Sequence, residues 1–209
     1  MKLIFRIMEQ IIFFIGFIIF SLTTIMFLSL KRRNPKVASI NMIVNFVTIA
    51  SYLLMMSGLG ASVATNGQSI YWTRWAFYAV SCSFLMVEIS MILGIDKNTM
   101  IEIIVFNSIV MITGLFASVT VDVFKWLFFA LSSVAYLYVL YKVSKHRSDK
   151  KFIVVFVAIF WSGFPIVWLI SPAGFMVLDA FWTALFYLVL DLITKVYFGF
   201  HSTMKYNKA

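Results

Sequence analysis

Four ionisable side chains sit inside runs that are otherwise apolar: Arg74 and Glu88 in one, Asp191 and Lys195 in another. A charge in such a run costs on the order of several kcal/mol unless it is paired or hydrated, so each is a candidate for function. Asp191 precedes Lys195 by four positions, one helical turn, and the two share a face on which they can pair. An amine beside a carboxylate in an apolar bundle suits Schiff-base formation: its neutral form is accessible, and the cationic imine finds a counterion in place. The competing reading is a lysine that snorkels to a membrane surface, because Lys195 lies only about two turns from the end of its run. Against it, helical side chains lean toward the N-terminus, here inward, and Val196-Tyr197-Phe198-Gly199-Phe200 beyond it are apolar.

Arg74, Phe77, Ser81 and Glu88 fall at i, i+3, i+7 and i+14, one continuous stripe. At the helical rise, Arg74 and Glu88 stand about 21 Å apart along the axis. Singly, Arg74 reads as an interfacial anchor between Trp72 and Trp75, and Glu88 as a carboxyl near headgroups; sharing one face, they read as parts of one site. The remaining charges have structural readings. Glu9 and Asp179 lie near span starts, Glu102 closes a Thr99-Met-Ile-Glu102 capping box, and Asp122 faces the surface near Lys125. His146 and His201 show no metal-ligand spacing, and no metal is assigned.

These residues need elements to place them. The chain has 209 residues, 63% hydrophobic and 12% charged, with a mean hydropathy of +1.00. A soluble domain of this size cannot hide that much apolar surface, which points to a bilayer. The length allows about seven spans of roughly 20–25 residues, expected near 7–30, 37–59, 70–95, 100–119, 121–144, 151–170 and 177–201. The expected fold is therefore an all-α membrane protein, a seven-transmembrane-helix bundle forming a single domain over residues 1–209. Asn34-Pro35 separates the first two spans, and a polar loop from Ser62 to Ser69 with an Asn66-Gly67 turn separates the next two. The first apolar run is too long for a signal peptide and Lys31-Arg32-Arg33 stops it, so it reads as a retained helix.

The net charge of +9 does not read as nucleic-acid binding, because the basic residues gather in short gaps between spans, where they set topology and meet anionic lipid. Lys31, Arg32, Arg33, Lys36, Lys97, Lys142, Lys145, Arg147, Lys150, Lys151, Lys205 and Lys208 fall on one side; Lys2, Arg6 and Lys125 fall on the other. The positive-inside rule then puts the N-terminus outside and the C-terminus in the cytoplasm of a multi-pass protein of the cell membrane. The single cysteine, Cys82, excludes an internal disulfide.

Over nearly its whole length the chain resembles the microbial rhodopsins. Asp191-Leu-Ile-Thr-Lys195 matches that family's D-x-x-x-K, and Trp161-Ser-Gly-Phe164-Pro165-Ile-Val-Trp168 its W-x-x-[YF]-P-x-x-W. The resemblance implies all-trans retinal joined to Lys195, with Asp191 as counterion and Trp161, Phe164, Pro165 and Trp168 packed on the polyene. It further places Tyr78 and Cys82 in the pocket, with Thr113-Gly114, Phe129, Ser132 and Tyr136 at the ring end. Arg74 is the family's arginine. Outward proton pumps of the family carry an aspartate three residues after it, where this chain has Phe77. The signature at 77, 81 and 88 reads Phe-Ser-Glu, which with Cys82 closely resembles the schizorhodopsins, light-driven inward proton pumps.

The implied function is transport rather than enzymatic catalysis: a light-driven inward proton pump that moves protons from outside to the cytoplasm. With Phe77 in place of a carboxylate, Asp191 is the remaining strong counterion. After all-trans to 13-cis isomerisation the Schiff-base proton is expected to leave past or via Glu88, and reprotonation to come from outside. The alternative is a photosensor or light-gated channel on the same scaffold, and beyond that a seven-helix transporter without chromophore. A homotrimer is expected from the resemblance alone.

Overall fold

In hydrocarbon every backbone N–H and C=O must be satisfied within its own segment, so this composition is driven to long helices. The computed structural model describes residues 2–146 and 150–206, with side chains from residue 7 onward. Of the residues that weighed on topology, the side chains of Lys2 and Arg6, together with Arg147 and Lys208, lie outside the described residues. The helices are α1 (Lys2–Leu30), α2 (Pro35–Met56), α3 (Thr73–Leu93), α4 (Lys97–Val119), α5 (Phe124–Ser144), α6 (Lys151–Ile170) and α7 (Ala180–Lys205). All seven are long and apolar enough to cross a membrane. Consecutive helices pack side by side, and α7 closes the ring against α1, α2 and α6. Large apolar side chains such as Leu22, Ile25, Phe46, Val134 and Ile159 point outward, the surface that lipid solvates in a multi-pass membrane protein.

Several boundaries are set by local hydrogen bonding. Asn34 caps α2, its side-chain oxygen accepting from the Val37 N–H, with Pro35 in the first turn where no N–H is needed. The capping box expected at Thr99 and Glu102 does not form. Asp96 caps α4 instead, accepting from the Asn98 and Thr99 N–H groups, and the helix starts at Lys97. Hydrogen bonds from Thr99, its side chain first and then its backbone, lower the Asp96 pKa below the usual carboxylate value. Glu102, freed from capping, pairs with Lys142 at 2.7 Å and accepts from Tyr138, tying α4 to α5. The loop between α2 and α3 is also more ordered than expected. Strands β1 (Ala61–Val63) and β2 (Ser69–Tyr71) form an antiparallel hairpin that pairs Ala61 with Tyr71, and Gly67 turns it at φ 79°.

Two helices depart from α-geometry where they matter most. In α6, residues Val157–Trp161 form a π-turn, followed by Pro165 inside the helix. Proline has no N–H to give the carbonyl of Trp161 four residues earlier, so the local ladder must rearrange. In α7 the π-turn Leu192–Tyr197 carries Lys195 itself. The bundle has two distinct ends. The hairpin end holds β1, β2 and the start of α7; the basic end holds the turns after α1, α3 and α5.

Candidate functional site

Lys195 does not snorkel: it is 1% exposed. Its Nζ lies 2.7 Å from Asp191 Oδ1 and 4.0 Å from the centroid of the Tyr78 ring. The approach to Asp191 is an ion-pair contact whose angles do not make a hydrogen bond, and Nζ has no hydrogen-bond partner among the described residues. Asp191, fully buried, accepts at Oδ2 from the Tyr52 hydroxyl at 2.9 Å and from Arg74 Nη1 at 3.3 Å. Arg74 also donates to the Tyr78 hydroxyl at 3.1 Å, and its guanidinium faces the Tyr187 ring at 4.7 Å. One anion thus stands between two cationic groups inside a cage of tyrosines from α2, α3 and α7. Burying such a set is tolerable because both cations lie against the one carboxylate and its Oδ2 is hydrogen-bonded.

Next to the Tyr78 ring opens an aromatic-lined cavity, the kind of concave, mostly apolar setting that small cofactors occupy. Tyr78, Cys82, Gly114, Phe129, Ser132 and Tyr136 line it, as do Trp161, Phe164, Pro165 and Trp168 from α6. Of the pocket residues named from the resemblance, all but Thr113 and Lys195 are on this wall, and Lys195 approaches it through Tyr78. The Trp168 ring stacks on Phe129 at 4.7 Å and its indole N–H is anchored on Ser118 Oγ at 2.9 Å. Gly114 lets Trp75 come close: a Cβ there would meet Trp75 Cε3 at 3.0 Å, and the indole would have to give by a few tenths of an ångström. An apolar aromatic slot beside a buried amine that has no hydrogen-bond partner among the described residues fits an aldehyde-bearing polyene such as retinal. The rings are the residues that would hold such a group, and Lys195 Nζ is the amine placed to meet its carbonyl.

Toward the basic end, Ser81 and Glu88 are fully buried. Glu88 accepts from the Ser202 hydroxyl, joining α3 to α7, while its second oxygen has no partner among the described residues. Ser202 follows Lys195 by seven residues, so Glu88 lies about 10 Å along the bundle from the level of Lys195. Phe77 is half-buried and lies outside the cavity wall.

Some of this could be read from sequence and some was misread. Arg74 is no interfacial anchor, being 3% exposed, and its flank Trp75 is 7% exposed and walls the cavity. Thr113 does not reach the cavity, because its hydroxyl bonds back to the Ile109 carbonyl at 2.6 Å. Asn107 and Met111 line the wall without having been singled out, although they stand seven and three residues before Gly114 on its face of α4. Tyr52 and Tyr187 had no sequence signal, since nothing in a tyrosine's position along an apolar run announces a partner on another helix. Glu9, assigned no role, is 5% exposed and accepts from the Tyr71 hydroxyl at 2.8 Å.

Residues 7–206 match the family model described as "Bacteriorhodopsin-like protein". Among solved structures, schizorhodopsin 4 superposes with a TM-score of 0.93 at 70% identity, covering 94% of this chain and 99% of that one. The thermophilic rhodopsin from Rubrobacter xylanophilus superposes with a TM-score of 0.87 at 24% identity, over 94% and 95% of the two chains, and speaks for the fold. Bacteriorhodopsin of Halobacterium salinarum is 28% identical over 180 residues, 78% of this chain and 69% of that protein.

Proposed function

This chain belongs to the bacteriorhodopsin-like protein family, a family of light-driven ion transport, and on that premise we propose that it is a retinal-binding inward proton pump. It takes protons at the extracellular side of the cell membrane and delivers them to the cytoplasm. Residues 1–209 act as one domain, with the hairpin end outside and the basic end inside, the orientation the charge distribution favours. The observation that carries the reading is the environment of Lys195. Its Nζ is buried 2.7 Å from Asp191, and position 77, one turn beyond Arg74, holds a phenylalanine. The likeness to schizorhodopsin 4, with the Phe-Ser-Glu signature, supports the same direction.

All-trans retinal, linked to Lys195, supplies the light-driven isomerisation that changes where the Nζ proton points. The chain does the rest. Trp161, Phe164 and Trp168 orient the polyene, and Cys82, Gly114, Phe129, Ser132 and Tyr136 bound its far end. Asp191 balances the positive charge on Nζ. Because Asp191 Oδ2 already accepts from Tyr52 and Arg74, Asp191 acts as the standing counter-charge rather than the proton's destination. Phe77 offers no alternative acceptor on the outer side. The proton released at Nζ therefore leaves toward the basic end, past Ser81 and past or via Glu88, and Nζ is refilled from the hairpin end.

Light on cells expressing the chain with retinal in unbuffered salt tests this reading. The medium should turn alkaline, and a protonophore should abolish the change. Acidification would reverse the assigned direction, and no pH change would favour a photosensor.

A further inference from the structure

Three of the described carboxyl groups are buried, Asp191, Glu88 and Glu9, and the pump cycle proposed above employs only the first two. Glu9 lies on α1 at the hairpin end, where withdrawing a carboxyl from water is costly unless it is held. One partner that holds it is Tyr71, the last residue of β2, which donates to Glu9 Oε2 at 2.8 Å. Phe13, one turn along α1, packs edge-on to the Tyr71 ring at 4.7 Å and restrains its direction. Tyr71 also walls a second cavity, shared with Arg74, Ser171, Thr183 and Tyr187. The several polar groups in its wall are the partners that ordered water needs. On its inner side Arg74 reaches Asp191 at 3.3 Å, and Asp191 reaches Lys195 at 2.7 Å. Polar groups thus run from Glu9 to Lys195 with this cavity as the intervening space.

We propose that Glu9 and Tyr71 form the outer proton relay of this chain, collecting protons from the medium at the hairpin end and passing them into the Arg74 cavity toward Lys195. The inference rests on the inward direction proposed above. The steps balance. The Glu9 carboxylate gains a proton from the medium; the Tyr71 hydroxyl turns from Glu9 into the cavity, gives its proton to water there and takes the proton from Glu9. Both side chains end as they began, and Nζ gains the one proton the medium lost. The same contact read as a mere clamp would tie the hairpin to α1 and carry nothing.

Glu9→Gln separates the two, because glutamine still accepts from Tyr71 but cannot carry a proton. In the full chain with retinal, flash photolysis should show an unchanged visible band whose recovery slows by about 100-fold or more. Azide, a small weak acid that ferries protons, should restore the rate, and a light-induced carboxyl C=O infrared band should vanish in the variant. Unchanged recovery and pumping would overturn the relay. So would a slowed recovery that azide leaves untouched, the mark of a structural defect. If Glu9→Gln forms no pigment, Tyr71→Phe, which removes only the hydroxyl, carries the same comparison. An unaltered chain that acidifies its medium would overturn both the direction and the relay, a result read without any variant.

Discussion

Asp191 is asked to satisfy two cations with one carboxylate, and its two oxygens divide the work: Oδ2 takes Tyr52 and Arg74, and Oδ1 faces Lys195. This division predicts different consequences for each partner. Lys195→Ala removes the amine proposed to condense with retinal, so the protein should form no visible band on addition of all-trans retinal. A retained coloured imine would refute the assignment. Asp191→Asn keeps the shape but removes the negative charge that localises the cation at Nζ. The band should move to longer wavelength and light-driven alkalinisation should fall sharply; unchanged colour and transport would contradict the counterion role. Tyr52→Phe removes one donor to a buried carboxylate and should lower stability by about 1–3 kcal/mol, the usual value for a hydrogen bond to a charged group. Thermal loss of the visible band measures this, with the pigment itself still forming.

At the scale of elements, α7 is positioned by close approach. A Cβ at Gly199 would lie 2.2 Å from Asn41 Oδ1 and 2.9 Å from Phe27 Cζ, and Asn41 is itself pinned to the Val37 carbonyl at 3.0 Å. Gly199→Ala must therefore push α7 away from α2, at a cost of about 1–3 kcal/mol for overpacking. Gly163→Ala in α6 meets only the end of the Leu190 side chain, at 2.7 Å, which can turn aside. The thermal midpoint of the pigment should drop further for Gly199→Ala than for Gly163→Ala; equal effects would show that the α2–α7 seam is not rigid. Three residues along α7 from Gly199, Ser202 meets Glu88 of α3, so Gly199→Ala should also alter the proton's exit more than it alters colour.

At the scale of the whole molecule, the basic residues at one end decide how the bundle sits in its membrane. Lys31, Arg32, Arg33, Lys36 and Lys97 crowd the turns after α1 and α3, and anionic lipid on the cytoplasmic face favours them there. A protease-cleavable tag after α7 should be cut in inside-out vesicles and protected in intact cells. The opposite pattern would invert the orientation and with it the assigned direction of transport. Assembly as a homotrimer remains tied to the resemblance, and cross-linking in native membrane measures it directly.

Period and composition along the chain determined the seven helices, because the requirement to satisfy backbone polar groups in hydrocarbon leaves few other solutions. The spacing of Asp191 and Lys195 determined that they meet, since one helical turn is a local relation. The aromatic pattern of α6 likewise placed Trp161, Phe164 and Trp168 on one wall. Other relations needed the tertiary structure. Tyr52 on α2 reaches Asp191 on α7, and Ser202 reaches Glu88, through packing that no local spacing encodes. Capping was decided by competition, with Asp96 taking the start of α4 and leaving Glu102 to Lys142. Glu9 shows the limit most clearly. In sequence it is a carboxyl near a span start, as harmless as Asp179; only the hairpin, folded back to bring Tyr71 over α1, makes it a buried group in need of a role.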